Sequence, residues 1–228
     1  MAEGVRLIEE GIHENFPAKF ILYTEGLSER GKDLINQLPP SYQAYLVDSR
    51  LMTDLTDTET TQGILAVFDL ISPPLPDELD FLLIIDSLRD PGNLGTILRT
   101  AEATGVQGVL LAPGTTDAYA PKVVRAGMGA HFRLPIYSLE WDEISELCSP
   151  LTIFCTDMEG EQPYFNIDFC QPCAVVIGSE AEGLSKAARQ LAHTSVQIPM
   201  LGRSESLNAA AAAAVLLFEV LRQRSLKG

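Results

Sequence analysis

Five short apolar runs, "FLLIID", "GVLLAP", "LTIFCT", "CAVVIG" and "SVQIPM", follow one another between residues 81 and 200, separated by helical patterns. Strands that are apolar at consecutive rather than alternate positions are covered on both faces, and strands that alternate with helices run parallel. This region is therefore expected to be α/β, a parallel sheet between helical layers. Ligands of such sheets sit beyond the carboxyl ends of the strands. Chemistry is accordingly sought directly after each run.

The chain before residue 70 alternates as well. "GVRLIEEGIHE" has helical spacing, "KFILYTEG" reads as a strand ending in a turn, and "LSERGKDLINQL" opens on an N-cap at Ser28 and closes at Pro39 and Pro40. "AYLVDS" and "QGILAVFDL" read as strands with a short helical stretch between them. A second, smaller α/β unit is expected over residues 1–70. "ISPPLPDELD" follows, with three prolines and three acids, a composition expected to give a stiff, solvated linker over 71–80 on which the first unit swings. Residues 81–228 form the larger unit.

Charge limits the partners. Over 228 residues, 16 Lys and Arg stand against 31 Asp and Glu, a net of −15. Neither part is basic: 5 against 12 before Pro76 gives −7, and 11 against 19 after it gives −8. The mean field repels nucleic acid and anionic membrane, so a polyanion needs a local basic strip. The acidic start "MAEGVRLIEEG" is unlike a secretory signal, and the apolar run 209–218 is too short to span a bilayer, so a cytoplasmic protein without membrane contact is expected. Four cysteines make no disulfide framework in a chain of this size. "CQPC" (170–173) lacks further ligands at zinc spacing and runs straight into a strand, so it reads as buried or half-buried thiols with no metal.

Three of the strand ends carry polar groups. After "FLLIID" comes "SLRDPGNLGTILRTAEATG", where Pro91, Gly92 and Asn93 make a turn, Asn93 is placed to cap a helix, and Leu94, Ile97, Leu98 and Ala101 form its core stripe beside Arg99. After "CAVVIG" comes "SEAEGLS", a tight loop bracketed by Gly178 and Gly183, with Glu180 inside it and Ser185 capping the next helix. After "SVQIPM" comes "LGRSESLNAAAAAAVLLFEVL", where Ser206 and Asn208 stand at the mouth of a helix whose first turns are alanine. Side chains so small permit close backbone approach. Each motif alone also reads as ordinary capping or a solvated charge.

Taken in order, "NLGTILRTAEATG", "IGSEAEGLS" and "IPMLGRSESLNAAAAAA" closely resemble the three motifs of the SpoU/TrmH family of RNA 2′-O-ribose methyltransferases, within the SPOUT superfamily. The resemblance covers residues 77–228. The first part looks like the small RNA-binding domain that precedes the catalytic domain in many members, with its leading strand shortened. The resemblance implies a C-terminal deep trefoil knot with S-adenosylmethionine bound in it, the alanine helix being the threaded segment. It implies methylation of a ribose 2′-hydroxyl in structured RNA, ribosomal ahead of transfer RNA, by a homodimer formed through the catalytic domain, to which the alanine helix and "VLLFEVL" are suited.

The same resemblance assigns roles. Arg99 is the essential residue of the first motif, supported by Asn93, with Glu180, Ser206 and Asn208 nearby. Thr156, Gly178, Glu180, Gly183, Ile198, Met200, Ser206 and Leu207 are expected around the cofactor. Arg89, Arg99, Arg125, Arg133 and Arg203 are the candidates for RNA contact. The guanidinium is a poor base because its pKa is so high, so Arg99 is expected to act electrostatically and the base is unassigned. Some members carry hydroxyls where this chain has alanine at 209–214, and any role of those hydroxyls does not transfer. Two other readings stand beside this one. A non-catalytic RNA-binding homodimer would have no reason to keep Arg99, Glu180 and Asn208 together, and a small-molecule nucleotide enzyme would need phosphate-loop glycines absent here.

Overall fold

A computed structural model describes residues 1–56, 60–158, 160–179, 182–203 and 206–227. The first part runs β1 (Ala2–Glu3), α1 (Val5–His13), β2 (Ala18–Tyr23), α2 (Glu29–Asn36), β3 (Ala44–Leu46), α3 (Ser49–Leu55) and β4 (Ile64–Phe68). Ser28 caps α2 by accepting from the Gly31 N–H, and Asp48 caps α3 in the same way. The strands form one sheet in the order β1-β4-β2-β3, in which β1 has only two residues.

The second part runs β5 (Phe81–Ile85), α4 (Pro91–Ala103), β6 (Gly108–Leu111), α5 (Pro121–Gly127), β7 (Ile136–Ser138), α6 (Trp141–Leu147), β8 (Thr152–Thr156), β9 (Gln162–Pro163), β10 (Cys173–Ile177), α7 (Lys186–Leu191), β11 (Thr194–Gln197) and α8 (Ala209–Lys227). Its sheet is parallel throughout, in the order β7-β6-β5-β10-β8-β11-β9. The five apolar runs are its five inner strands. The two edge strands, β7 and β9, have three and two residues and too little apolar pattern to announce themselves.

Alternation along β5 explains the layers. Phe81, Leu83 and Ile85 face Leu94, Ile97, Leu98 and Ala101 of α4 and Leu216, Leu217 and Val220 of α8. Leu82 and Ile84 face Ile144 of α6 and Ala188 of α7. A Cβ on Gly95 would fall 2.5 Å from that of Ala126 and 2.6 Å from the Val123 carbonyl, so glycine is what lets α4 and α5 approach.

Two expectations need correction. The linker is not simply solvated: Ser72 Oγ donates to the Ile136 carbonyl at 3.1 Å and accepts its N–H at 2.8 Å, and the Tyr137 hydroxyl donates to the Pro73 carbonyl at 2.9 Å. An extended proline-rich segment leaves its own polar groups unpaired, and the open edge at β7 takes them up. Nor does the first unit swing. Its core includes Val124 and Phe132 from the second part, with the Phe132 ring 5.0 Å from both Phe16 and Phe68. Beside this apolar contact Arg133 donates to Glu102 at 2.9 Å, to Glu10 at 2.7 Å and to Glu14 at 3.5 Å, tying α1 to α4.

All four cysteines are free: Cys148, Cys155 and Cys173 are buried and Cys170 half-buried. No helix among the described residues is long and apolar enough to cross a membrane. None of their His, Cys, Asp and Glu residues form a group that could hold a metal ion.

Candidate active site

β10, β8 and β11 lie side by side, so the three segments that leave their carboxyl ends meet. Between them is a cleft of about 600 Å³, within the size range of small-molecule sites. Thr156 ends β8 and donates through its hydroxyl to the Val176 carbonyl at 3.1 Å, fixing one strand end against the next. Ser179 and Gly183 exchange backbone hydrogen bonds of 3.0 Å in each direction, closing the loop after β10. Gly183 holds a φ of +65°, and a Cβ on Gly178 would strike the Gly183 carbonyl at 2.6 Å. Both glycines are therefore needed for this loop to fold back on itself.

The remaining walls come from the end of β11 and the head of α8. Ile198 and Met200 line one side, and Ser206, Leu207, Ala209 and Ala212 the other. Ala209, Ala210 and Ala213 are buried in the shared core. The alanines thus keep α8 close to the sheet while leaving the cleft open beside it. Seven of the proposed cofactor residues, Thr156, Gly178, Gly183, Ile198, Met200, Ser206 and Leu207, line this one space. Glu180 lies outside the described residues.

The first motif meets α8 at its head. Asn93 does not cap α4, contrary to expectation. The cap is Asp90, whose carboxylate accepts the Asn93 N–H at 2.7 Å. Pro91 lacks an N–H and suits the first helical position, which makes the residue before it the cap. Asn93 instead accepts from the Asn208 amide at 3.0 Å, and Asn208 caps α8 through the N–H groups of Ala210 and Ala211.

Arg99 lies farther along α4, exposed and outside the cleft lining. Among the described residues it has no ion-pair or hydrogen-bond partner, which leaves its guanidinium available in an acidic molecule. Arg203 is exposed in the segment before α8. Arg89 reaches across to Glu182 of the glycine loop at 3.2 Å, an exposed pair that water screens. Arg125 stands 3.8 Å from Glu3, and Arg133 is held by its three carboxylates. These last two serve the contact between the two sheets.

Three residues that the sequence reading did not name stand at this place. Asp86, fully buried just after β5, accepts the Ser185 N–H at 2.6 Å and the Ser87 hydroxyl at 3.1 Å, holding the far end of the glycine loop. Asp157, directly after β8, and Arg189 on α7 form an ion pair in the cleft wall. Asp86 ends the run "FLLIID" and Asp157 directly follows "LTIFCT", which is the signal that could have found them.

The cleft suits a nucleoside cofactor. Ile177, Leu184, Val196 and Ile198 give the cleft apolar lining, the backbone at Gly178 and Gly183 borders it, and Asp157 adds a carboxylate.

A family model described as the SpoU rRNA methylase family matches residues 80–218, and one described as an MRM3-like substrate binding domain matches residues 1–66. The chain is 34% identical to a 23S rRNA (uridine(2479)-2'-O)-methyltransferase of Streptomyces viridochromogenes, over 97% of this chain and 82% of that protein. It is 32% identical to the 23S rRNA (guanosine(2553)-2'-O)-methyltransferase RlmP of Bacillus subtilis, over 96% of this chain and 87% of the relative. Its structure matches the crystal structure of the SpoU methyltransferase AviRb from Streptomyces viridochromogenes in complex with AdoMet, with a TM-score of 0.90 and 32% identity, over 98% of this chain and 89% of that one.

Proposed function

The chain belongs to the SpoU rRNA methylase family, and from that premise we propose that it is an S-adenosylmethionine-dependent methyltransferase acting on a ribose 2′-hydroxyl of ribosomal RNA. The observation that carries this reading is the cleft at the ends of β8, β10 and β11, where two loops and the head of α8 converge. Relatives named as 23S rRNA 2′-O-methyltransferases support the substrate class, and the likeness to an AdoMet complex supports the cofactor.

When bound, the cofactor supplies an electrophilic methyl group on a sulfonium sulfur. The chain's own residues must hold the ribose oxygen in line with it and manage the proton that the hydroxyl loses. Arg99 stabilises the charge developing on that oxygen or grips the adjacent phosphate. Asn93 and Asn208 fix the heads of α4 and α8 relative to each other, and Ser206 faces the cleft. RNA contact falls to Arg99, Arg203 and Arg89, because Arg125 and Arg133 are engaged elsewhere.

The reading includes a small RNA-binding domain over residues 1–70, a connection over 71–80, and a catalytic domain over 81–228 closed by a deep trefoil knot. Likeness to SpoU structures and the burial of α8 behind the cleft support the knot. It also includes a homodimer through the catalytic domain. Leu216, Leu217 and Val220 are committed to the chain's own core, so Phe218, 52% exposed, and Leu226, 74% exposed, are the large apolar side chains that α8 offers to a partner. The place of action is the cytoplasm, in keeping with four unpaired thiols.

Titration calorimetry with S-adenosylmethionine, followed by mapping of methyl groups on an unmodified 23S rRNA transcript, tests the reading. One-site binding and a new 2′-O-methyl mark support it. Binding of RNA without cofactor binding would favour a non-catalytic RNA-binding homodimer.

A further inference from the structure

We propose that the Asp157 carboxylate accepts the ribose hydroxyls of the cofactor's adenosine and that Arg189 positions that carboxylate. The inference rests on the cofactor reading above and adds two residues to it. Asp157 is the first residue beyond β8, the strand flanked by β10 and β11, and its backbone N–H donates to the Val196 carbonyl at 2.9 Å. Its Cα is therefore held as firmly as the ladder itself. The side chain is only 16% exposed and lines the cleft. A carboxylate removed from water to that degree needs a cation or donors.

Arg189, 32 residues later on α7, supplies the cation, donating through its guanidinium to Asp157. That contact sets the orientation of the carboxylate, whose two ionised oxygens offer about four lone-pair sites in all. Among the described residues the other carboxylate in the lining, Glu182, is exposed and faces Arg89 at the rim. Of these two, Asp157 is the inner acceptor.

A vicinal diol presents two O–H donors at a spacing that one carboxylate can receive. An acid at the carboxyl end of a parallel strand serves the same chemistry in dinucleotide-binding sheets. An amino-acid end would ask instead for the two members of the pair to separate, one toward its carboxylate and one toward its ammonium. Here they face each other.

Calorimetry on the whole protein separates the possibilities, with S-adenosylhomocysteine, with 5′-methylthioadenosine, which has the ribose but no amino-acid end, and with the 2′-deoxy form of the latter. The wild-type chain is expected to bind methylthioadenosine about tenfold more tightly than its 2′-deoxy form, the effect of one charge-assisted hydrogen bond. Asp157→Asn should lose about tenfold on both ribose ligands and no longer discriminate the 2′-deoxy form. Arg189→Ala should give a smaller loss that Arg189→Lys restores.

Equal binding of the deoxy ligand by wild type would overturn the proposal with no variant needed. So would a loss in Asp157→Asn confined to S-adenosylhomocysteine, which would assign the pair to the amino-acid end. Failure of the wild type to bind S-adenosylhomocysteine at all would instead overturn the cofactor reading.

Discussion

The side-chain amide of Asn208 donates to the side-chain oxygen of Asn93 at 3.0 Å, joining the heads of α8 and α4 over 115 residues of sequence. The same Asn208 accepts the N–H groups of Ala210 and Ala211 at 2.9 and 3.3 Å, so one side chain both caps a helix and spans the site. Asn208→Ala should cost about 1 kcal/mol for the cap, lowering the melting temperature by roughly 2–4 °C, and should weaken cofactor binding and turnover together. Asn208→Asp keeps the capping acceptor and loses the donor. Its melting temperature should stay near that of wild type while turnover falls, which calorimetry and a rate assay would read side by side.

Phe132 and Val124 belong to the second part of the chain but complete the core of the first. A chain beginning at Asp77 would expose both, together with Arg133 stripped of Glu10 and Glu14. Such a chain should be less stable than the whole protein by several kcal/mol, since burying one large apolar side chain contributes about 1.5–3 kcal/mol. Urea unfolding of the full chain is expected to show one transition. An unchanged midpoint for the shortened chain would mean that the two parts do not support each other.

Burial holds the thiols protonated. Cys148 is pushed up from 9.0 to about 12 and Cys173 to about 11, in each case chiefly by desolvation, and Cys155 is also raised by burial. A thiol whose folded pKa lies above its unfolded one contributes stability that is complete below about pH 9 and is lost as pH rises through the folded value. The stability of this protein is therefore expected to decline between about pH 9 and 12, which denaturant midpoints over that range would measure. At pH 8 a thiol reagent should modify half-buried Cys170 first and reach Cys148, Cys155 and Cys173 only on unfolding.

The inner strands were legible because β5, β6 and β10 are apolar at every position, and each is buried at every position. The alanine stretch was legible for a related reason: Ala209 and Ala212 line the cleft while Ala213 is in the core, a use that only very small side chains serve. What failed to show was pairing between distant segments. Nothing local marks Phe132 as part of a core with Phe16 and Phe68, or Ser72 as a partner of Ile136. Asn93 misled because asparagine is a good N-cap in isolation, whereas Pro91 moves the helix start to Asp90. Arg133 read as a free cation because its three carboxylates stand up to 123 residues away.

The central role falls to Arg99, exposed on α4 and without an acidic partner among the described residues. The direct test is single-turnover transfer of labelled methyl from S-adenosylmethionine, at saturating cofactor, to unmodified 23S rRNA by the wild-type chain and by Arg99→Ala. Label should appear on a ribose 2′-oxygen with the wild type, and Arg99→Ala should slow its appearance by about 10²–10³, the effect of losing one preorganised electrostatic group. No transfer to ribose by the wild type, or an unchanged rate in Arg99→Ala, would contradict it.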